Sequence, residues 1–401
     1  MVIAREVFSV KSKAVVFFGS TKTAKASADN SLAGKLQKIL DELGLKEAVK
    51  GKKVVVKMHL GANLSFSTVH PFLAHLIIRT IKEGGGDPFI VNIMEQYKDA
   101  WTRGYTAVTL GCPIYPVAGP KDRYYIEKEV NYKSLKTIKM GGLMTEADVL
   151  VTVSHVKGHN TCGFGAAIKN LALGCYTQET RWGLHRVMQY DPYWFPAERA
   201  DLKEHIEKLI KACPYGAIKY EKERLRVIFD ICNQCMRCVN VDEDGCLKIK
   251  LENFASFQEA MSITTGFVLE HFDPENTFYI NVALDITQYC DCWGITTGNI
   301  LPDLGILGSK DIVAIDKASL DLLKNKPLIE ENVSNNLEII RDPRLHPFAR
   351  IHGPYKDPYL QVKYCEERKL GTSNYEIIEV MPAGKRRTLP PASFPEPLKI
   401  Y

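Results

Sequence analysis

Val149-Leu-Val-Thr-Val153 runs without a break into Ser154-His155-Val156-Lys157-Gly158-His159. Five consecutive apolar or β-branched residues read as a strand buried on both faces, as in parallel sheets. The polar cluster begins where that strand ends, and ligands of open α/β sheets bind beyond the carboxyl ends of strands. Similar runs recur at Ala14-Val-Val-Phe-Phe18, Lys53-Val-Val-Val-Lys57, Phe89-Ile-Val-Asn-Ile93 and Phe278-Tyr-Ile-Asn-Val-Ala-Leu284. Residues 31–43, 72–83 and 311–323 read as helices, the second stopped by Gly84-Gly-Gly86. Strands alternating with helices predict an α/β fold.

At 401 residues the chain exceeds the roughly 250 to 300 at which one hydrophobic core stops growing. The alternation breaks near Asp191-Pro-Tyr-Trp-Phe-Pro196 and resumes only at Phe278. The expected organisation is therefore a discontinuous, Rossmann-like mixed-sheet core in two parts, residues 1–194 and 251–334. An inserted ferredoxin-like α+β module would fill 195–250. Residues 335–401, rich in Pro and charge, read as an extended C-terminal tail.

The composition, 45% hydrophobic and 25% charged, is that of ordinary globular proteins. A net charge of +5 is dispersed, and its one dense run, Gly384-Lys385-Arg386-Arg387, reads as solvated surface, so no nucleic-acid partner is expected. No stretch approaches the ~18 apolar residues of a membrane span, and the first twenty residues lack an export signal. A cytoplasmic location without membrane contact is the expectation. In that compartment eleven cysteines point to metal or redox chemistry and not to a disulfide framework.

Cys232-Asn-Gln-Cys235-Met-Arg-Cys238 is the C-x2-C-x2-C triplet of bacterial ferredoxins, and Cys213-Pro214 is the Cys-Pro that ends a preceding run. The triplet that should accompany Cys213 would fall at Lys203, Ile206 and Leu209, which cannot ligate iron, and Asp242 stands at the second Cys-Pro position. One complete ligand set remains, predicting a single [4Fe-4S] cluster on Cys213, Cys232, Cys235 and Cys238, with Cys246 as a reserve ligand. Four cysteines also suit structural zinc, but zinc ligands usually come as two pairs.

Around the strand end, His155, His159 and Lys169 are the candidate catalytic residues, with His185 further along and His59 closing the Val56-Lys57-Met58 strand. Gly163-Phe-Gly165-Ala-Ala-Ile-Lys169-Asn170 offers glycines for close backbone approach and a helix start for an anion. Lys57, His59, Lys157, Gly163, Gly165 and Asn170 are thus candidate binding residues for a small anionic molecule. After the strand at 278–284, Cys290-Asp291-Cys292 and Asp303 again follow a strand end; closely spaced thiols and carboxylates bind metal, carry redox steps or tie down turns.

These motifs, with Pro302-Asp303-Leu-Gly305 and Asp311-Ile-Val-Ala-Ile-Asp316, resemble over residues 14–325 the iron-sulfur centre proteins of the domain of unknown function 362 family. The resemblance implies the fold, a cluster and the pocket's location, but no established reaction. Members usually carry two full ferredoxin motifs, whereas the first is degraded here. More distantly, His159, Gly163-Phe164, Lys169 and His185 resemble the pocket of nickel-pincer lactate racemases, which use a histidine, a cofactor-tethering lysine and a metal-binding histidine in that order. Ala166 and Ala167 stand where glycines are expected there.

Three functions follow. The first is an iron-sulfur oxidoreductase acting on a small anionic substrate or second cofactor, with a redox partner such as a ferredoxin. The second is a racemase or isomerase of small hydroxy acids with a nickel-type metal cofactor. The third is a non-enzymatic electron-transfer or assembly protein. No motif reports a flavin.

Overall fold

Eight strands form one mixed sheet in the computed structural model, which describes residues 13–189, 202–221, 224–228, 232, 235–243, 252–335 and 337–384. They are β1 (Ala14–Ser20), β2 (Lys53–Met58), β3 (Asp87–Asn92), β4 (Ile114–Pro116), β5 (Val149–His155), β6 (Thr277–Ala283), β7 (Gly305–Ser309) and β8 (Tyr375–Glu379). Their spatial order is β8-β1-β7-β6-β5-β2-β3-β4. Only β7 runs against the rest, antiparallel to both β1 and β6. From β2 the chain steps outward to β3 and β4; it then returns to β5 on the other side of β2 and steps outward again to β6 and β7. The reversal between β2 and β5 is a topological switch point, where strand ends splay their connections and leave a crevice.

Both faces of the sheet are covered, because the central strands are apolar on both sides. Val149, Val151 and Val153 of β5 pack into a core shared with α1 (Leu32–Glu42) and α2 (Pro71–Glu83). Leu150 faces the opposite core, formed with α3 (Ala167–Gly174), α4 (Glu252–Leu269) and α5 (Ile312–Lys324). Helix starts are locally encoded: Ser31 caps α1 by accepting from Gly34 N, and Asp311 caps α5 by accepting from Val313 N and Ala314 N.

The α/β class and the mixed sheet match the sequence expectation, and the strands on either side of residues 195–250 belong to one sheet. Within that segment the described residues form a helix (Leu202–Ala212), a hairpin (Ile218–Glu221 with Arg224–Val227) and a short helix (Arg237–Asn240). Asp191 to Pro196, Cys246 and Lys385 to Arg387 lie outside the described residues. Where the degraded first triplet would stand, Lys203 is exposed while Ile206 and Leu209 are buried in the core. The stretch after residue 335, expected as an extended tail, instead supplies helices Pro347–His352 and Leu360–Glu367 and the edge strand β8, parallel to β1. One of its prolines, Pro347, starts a helix at the first turn, a position needing no backbone N–H. A hairpin, Tyr125–Tyr132 with Leu135–Gly141, also lies outside the main sheet.

Two polar clamps hold α3 beneath the crevice. The buried Asp316 carboxylate of α5 accepts Ala167 N at 3.0 Å and Ile168 N at 2.9 Å, and Asn281 of β6 donates to it at 2.8 Å. Burial nevertheless pushes its pKa up to about 6. The helix start expected to receive an external anion is thus filled by the protein's own carboxylate, the nearest group able to satisfy orphan N–H donors in the core. In the second clamp, Lys57 at the end of β2 donates to Asn170 Oδ1 at 2.8 Å and to its neighbour Met58 O at 3.0 Å. Asn170 in turn donates to Val153 O and Ser154 Oγ of β5, both at 3.0 Å.

Two stability predictions follow from these clamps. Asp316→Ala orphans two buried N–H groups and an amide, so chemical denaturation should report a loss of about 2 to 4 kcal/mol, partly restored by Asp316→Asn. Burial lowers the Lys57 pKa from 10.5 to about 8, so between those values the unfolded chain binds a proton that the native state does not. Stability should therefore rise as pH climbs from about 8 to 10.5, and Lys57→Met should flatten that rise in denaturation curves taken across the window.

Candidate active site

The carboxyl ends of β2, β5 and β6 bring His59, His155, Lys157 and the Cys290-Asp291-Cys292 turn together. Asp291 is the pivot, 1% exposed. Its Oδ1 lies 3.0 Å from His155 Nδ1 and its Oδ2 lies 3.2 Å from Lys157 Nζ. Burial works to raise the pKa of Asp291, but Lys157, His155 and His59 outweigh it and hold the carboxyl well below its usual range. The other ring nitrogen of His155 lies 2.9 Å from Leu284 O. With both nitrogens within hydrogen-bond distance of protein oxygens, His155 anchors the turn.

Anchoring Asp291 inward sends its two neighbours to different environments. Cys290 is buried and Cys292 is exposed. The neighbouring Cys290 thiol, followed by Lys169 and His59, holds Cys292 well below the ordinary thiol pKa. Cys292 in turn, together with burial, pushes Cys290 well up. Lys169 Nζ stands 3.3 Å from Cys292 Sγ. Burial alone would lower Lys169, but the sulfurs of Cys290, Cys292 and Cys162 reverse that and raise it.

His59 Nδ1 accepts Gly61 N–H at 3.0 Å, so its Nε2 bears the proton and donates to Cys292 Sγ at 3.0 Å. Gln96, just after β3, lies 2.7 Å from that Nε2; with its amide oxygen toward the ring, the contact also gives the otherwise orphaned buried Oε1 a partner. Burial lowers the His59 pKa despite Cys292.

His159 occupies a second wall. Its Nδ1 accepts Thr161 N–H at 3.1 Å, and its ring stacks on Phe257 of α4 with centroids 6.3 Å apart. His185 packs on the same phenyl ring at 4.9 Å. Burial, followed by the charges of Lys169 and His185, holds His159 well below its ordinary pKa, so the ring is neutral.

The remaining candidates support the backbone. Asp303 Oδ1 accepts Asp285 N at 2.8 Å and fixes the loop after β6. Gly163 has φ +76°, and a side chain there would strike Lys356 O at 2.3 Å. A Cβ added at Gly165 would lie 3.7 Å from the stems of both Lys157 and Lys169. Lys57 and Asn170 are committed to the clamp described above.

The four candidate cluster cysteines are neighbours. Burial, then the charges of Cys232, Cys213 and Cys235, push Cys238 up to about 12. Ala217 N donates to Cys213 Sγ at 3.2 Å. Among the described residues no three His, Cys, Asp or Glu side chains are grouped to hold a single metal ion. His205 Nε2 lies 3.0 Å from Asp242 Oδ1, pairing the missing second ligand position with the helix that lost its triplet.

Sequence reasoning missed Gln96, Asp316 and Lys356 as site residues and ranked Asp291 below its flanking cysteines. Gln96 carried a signal, since it follows a strand end. Lys356 carried none: its buried ammonium donates to Asn160 O at 2.6 Å, beside His159, and also to Cys232 O.

Among the described residues no helix is long and apolar enough to cross a membrane. No curated protein matches the sequence. Among solved structures, the lactate racemase apoprotein from Thermoanaerobacterium thermosaccharolyticum is 13% identical, with a TM-score of 0.33 over 67% of this chain and 50% of that one. A protein from Thermotoga maritima is 15% identical, with a TM-score of 0.29 over 55% of this chain and 58% of that one. The chain thus spans only half to three-fifths of the length of these two structures. The family described as domain of unknown function DUF362 matches residues 54–321, from β2 into α5 and through every strand end that builds the pocket, and the chain belongs to that family.

Proposed function

We propose that the chain is an iron-sulfur redox enzyme in which one [4Fe-4S] cluster, held by Cys213, Cys232, Cys235 and Cys238, serves a small anionic molecule bound beside Lys169, His59 and His159. When bound, such a cluster supplies or accepts single electrons. The observation that carries the reading is the Lys356 bridge: one buried ammonium binds the carbonyl of Cys232 and that of Asn160, the residue next to His159. The candidate cluster loop and the pocket wall are therefore one side chain apart. The four neighbouring thiols and the N–H donated to Cys213 Sγ are the chemistry expected of a cluster's ligands, because hydrogen bonds to sulfur tune its potential.

Within the pocket each residue has a distinct task. Lys169, kept cationic, pairs with negative charge. His59 donates through Nε2 toward Cys292. Neutral His159 accepts at Nδ1 from Thr161, which leaves its Nε2–H for a bound oxygen. Burial of the pocket floor excludes water and strengthens each of these contacts.

A racemase or isomerase of small hydroxy acids is the second reading. It is favoured by one observation: His159, Lys169 and His185 are electrostatic neighbours and two of them share Phe257. On that reading Lys169 would tether a metal cofactor, and the cluster would be structural.

Anaerobic purification with metal analysis, EPR and intact mass separates the two. Four irons with matching sulfide and a reducible EPR signal are expected. Cys235→Ser should abolish both, while Lys169→Ala keeps the iron. Stoichiometric zinc without iron would overturn the first reading, and nickel with an adduct on Lys169 would establish the second.

A further inference from the structure

We infer that Cys290 and Cys292 form a two-electron dithiol that reduces small disulfides at the mouth of the pocket. The inference rests on the redox reading above and names its substrate class. Three geometric features support it. The two cysteines are separated by one residue, and that residue, Asp291, opens a 3-10 turn (Asp291–Trp293) closed by a hydrogen bond from Trp293 N to Cys290 O at 3.0 Å. The solvent-facing sulfur, Cys292, is the one that meets two N–H donors, Lys169 at 3.3 Å and His59 at 3.0 Å. The sheltered sulfur, Cys290, is placed to resolve an adduct on its neighbour from the protein side.

Attack and resolution follow from this asymmetry. Cys292, as thiolate, attacks one sulfur of a disulfide RSSR; the S–S bond breaks, a Cys292–S–S–R bond forms, and RS⁻ leaves with the electron pair. The Cys290 sulfur then attacks Cys292, expelling the second R group, which takes the Cys290 proton and departs as RSH. RSSR gains two electrons and the pair loses two, ending as a Cys290–Cys292 disulfide. Two electrons and one proton restore the starting thiol and thiolate, and an added dithiol reductant supplies them. Lys169 serves both steps, stabilising the attacking thiolate and pairing with an acidic substituent on R. The low pKa of Cys292 agrees with its role as the attacking member.

The test uses the anaerobically purified full chain with oxidised glutathione as probe, followed by proteolysis and mass mapping. Iron content and EPR are recorded on the same sample beforehand. The wild type should end with a Cys290–Cys292 disulfide and no retained glutathione. Cys290→Ser should trap glutathione on Cys292, and Cys292→Ser should leave Cys290 unmodified. Lys169→Met should slow trapping about tenfold at neutral pH, through loss of the cation that pairs with the carboxylates of glutathione and steadies the attacking sulfur. Trapping at other cysteines with Cys292 bare, or no trapping in Cys290→Ser, would overturn the inference. Exchange in a sample without iron would leave the dithiol standing and remove the cluster reading; iron and a reducible signal without exchange would do the reverse.

Discussion

A carboxylate fully removed from water must find positive partners or be expelled, and Asp291 is such a group. Its partners, His155 and Lys157, both leave the end of β5, while Asp291 belongs to the loop that follows β6. The pairing therefore welds a loop to a strand end, and removing one partner of a buried pair typically costs about 3 to 5 kcal/mol. Its consequence is directional. With Asp291 turned inward, chain geometry places Cys290 in the core and Cys292 at the surface, so one ion pair decides which thiol is sheltered and which is open. Gly158 adds to this weld, since any side chain there would strike Gln288 O at 2.3 Å, holding the strand after His155 against the same loop.

What the sequence disclosed followed from how local each signal is. Buried strands and capped helices leave short-range patterns, so β1, β2, β3, β5, β6, α1, α2 and α5 were legible within a residue or two. The reversed strand β7 was not: Gly305-Ile-Leu-Gly-Ser309 is brief and its direction depends on pairing with β1 and β6. The C-terminal stretch was misread because Pro and charge signal extended chain on average, yet here Pro347 opens a helix and β8 joins an existing edge. Alternating exposure along Tyr125–Tyr132 is a strand signature that was present and went unread. In the pocket, strand-end logic located His59, His155, Lys157, Cys290 and Cys292. It could not separate those that face a ligand from those, such as Asn170, Asp303 and Lys57, that hold the strand ends in place. That distinction lies in long-range hydrogen bonds.

The C-terminal segment also explains how the interrupted core stays together. Gln361 N donates to Gln258 Oε1 of α4 at 3.0 Å, and Gln361 Nε2 donates to Phe164 O at the same distance. Asp311, which caps α5, also receives Thr372 N at 2.9 Å on the approach to β8. Lys356 extends the pattern to Asn160 and Cys232. A segment late in the chain thus braces α4, the pocket wall and the candidate cluster loop at once, which gives the inserted residues a fixed relation to the strand ends without a large interface of their own.

Two lysines in this pocket start from the same handicap and end in opposite states. Both are buried, which disfavours the charged form. Lys57 meets neutral acceptors, the Asn170 amide and Met58 O, so burial prevails and its pKa falls to about 8. Lys169 stands 3.3 Å from Cys292, the sulfur held low enough to ionise, so attraction prevails and it stays a cation. The thiols divide in the same way, Cys292 down and Cys290 up. Environments that push like groups apart are how one pocket obtains a fixed charge and a mobile proton at a single pH. Here the fixed ion pair is Lys169 with Cys292 at the open end, and the proton-bearing members, Cys290 and Lys57, lie beneath it. Charge therefore meets an incoming molecule first, and proton exchange is confined to groups that bulk water reaches last.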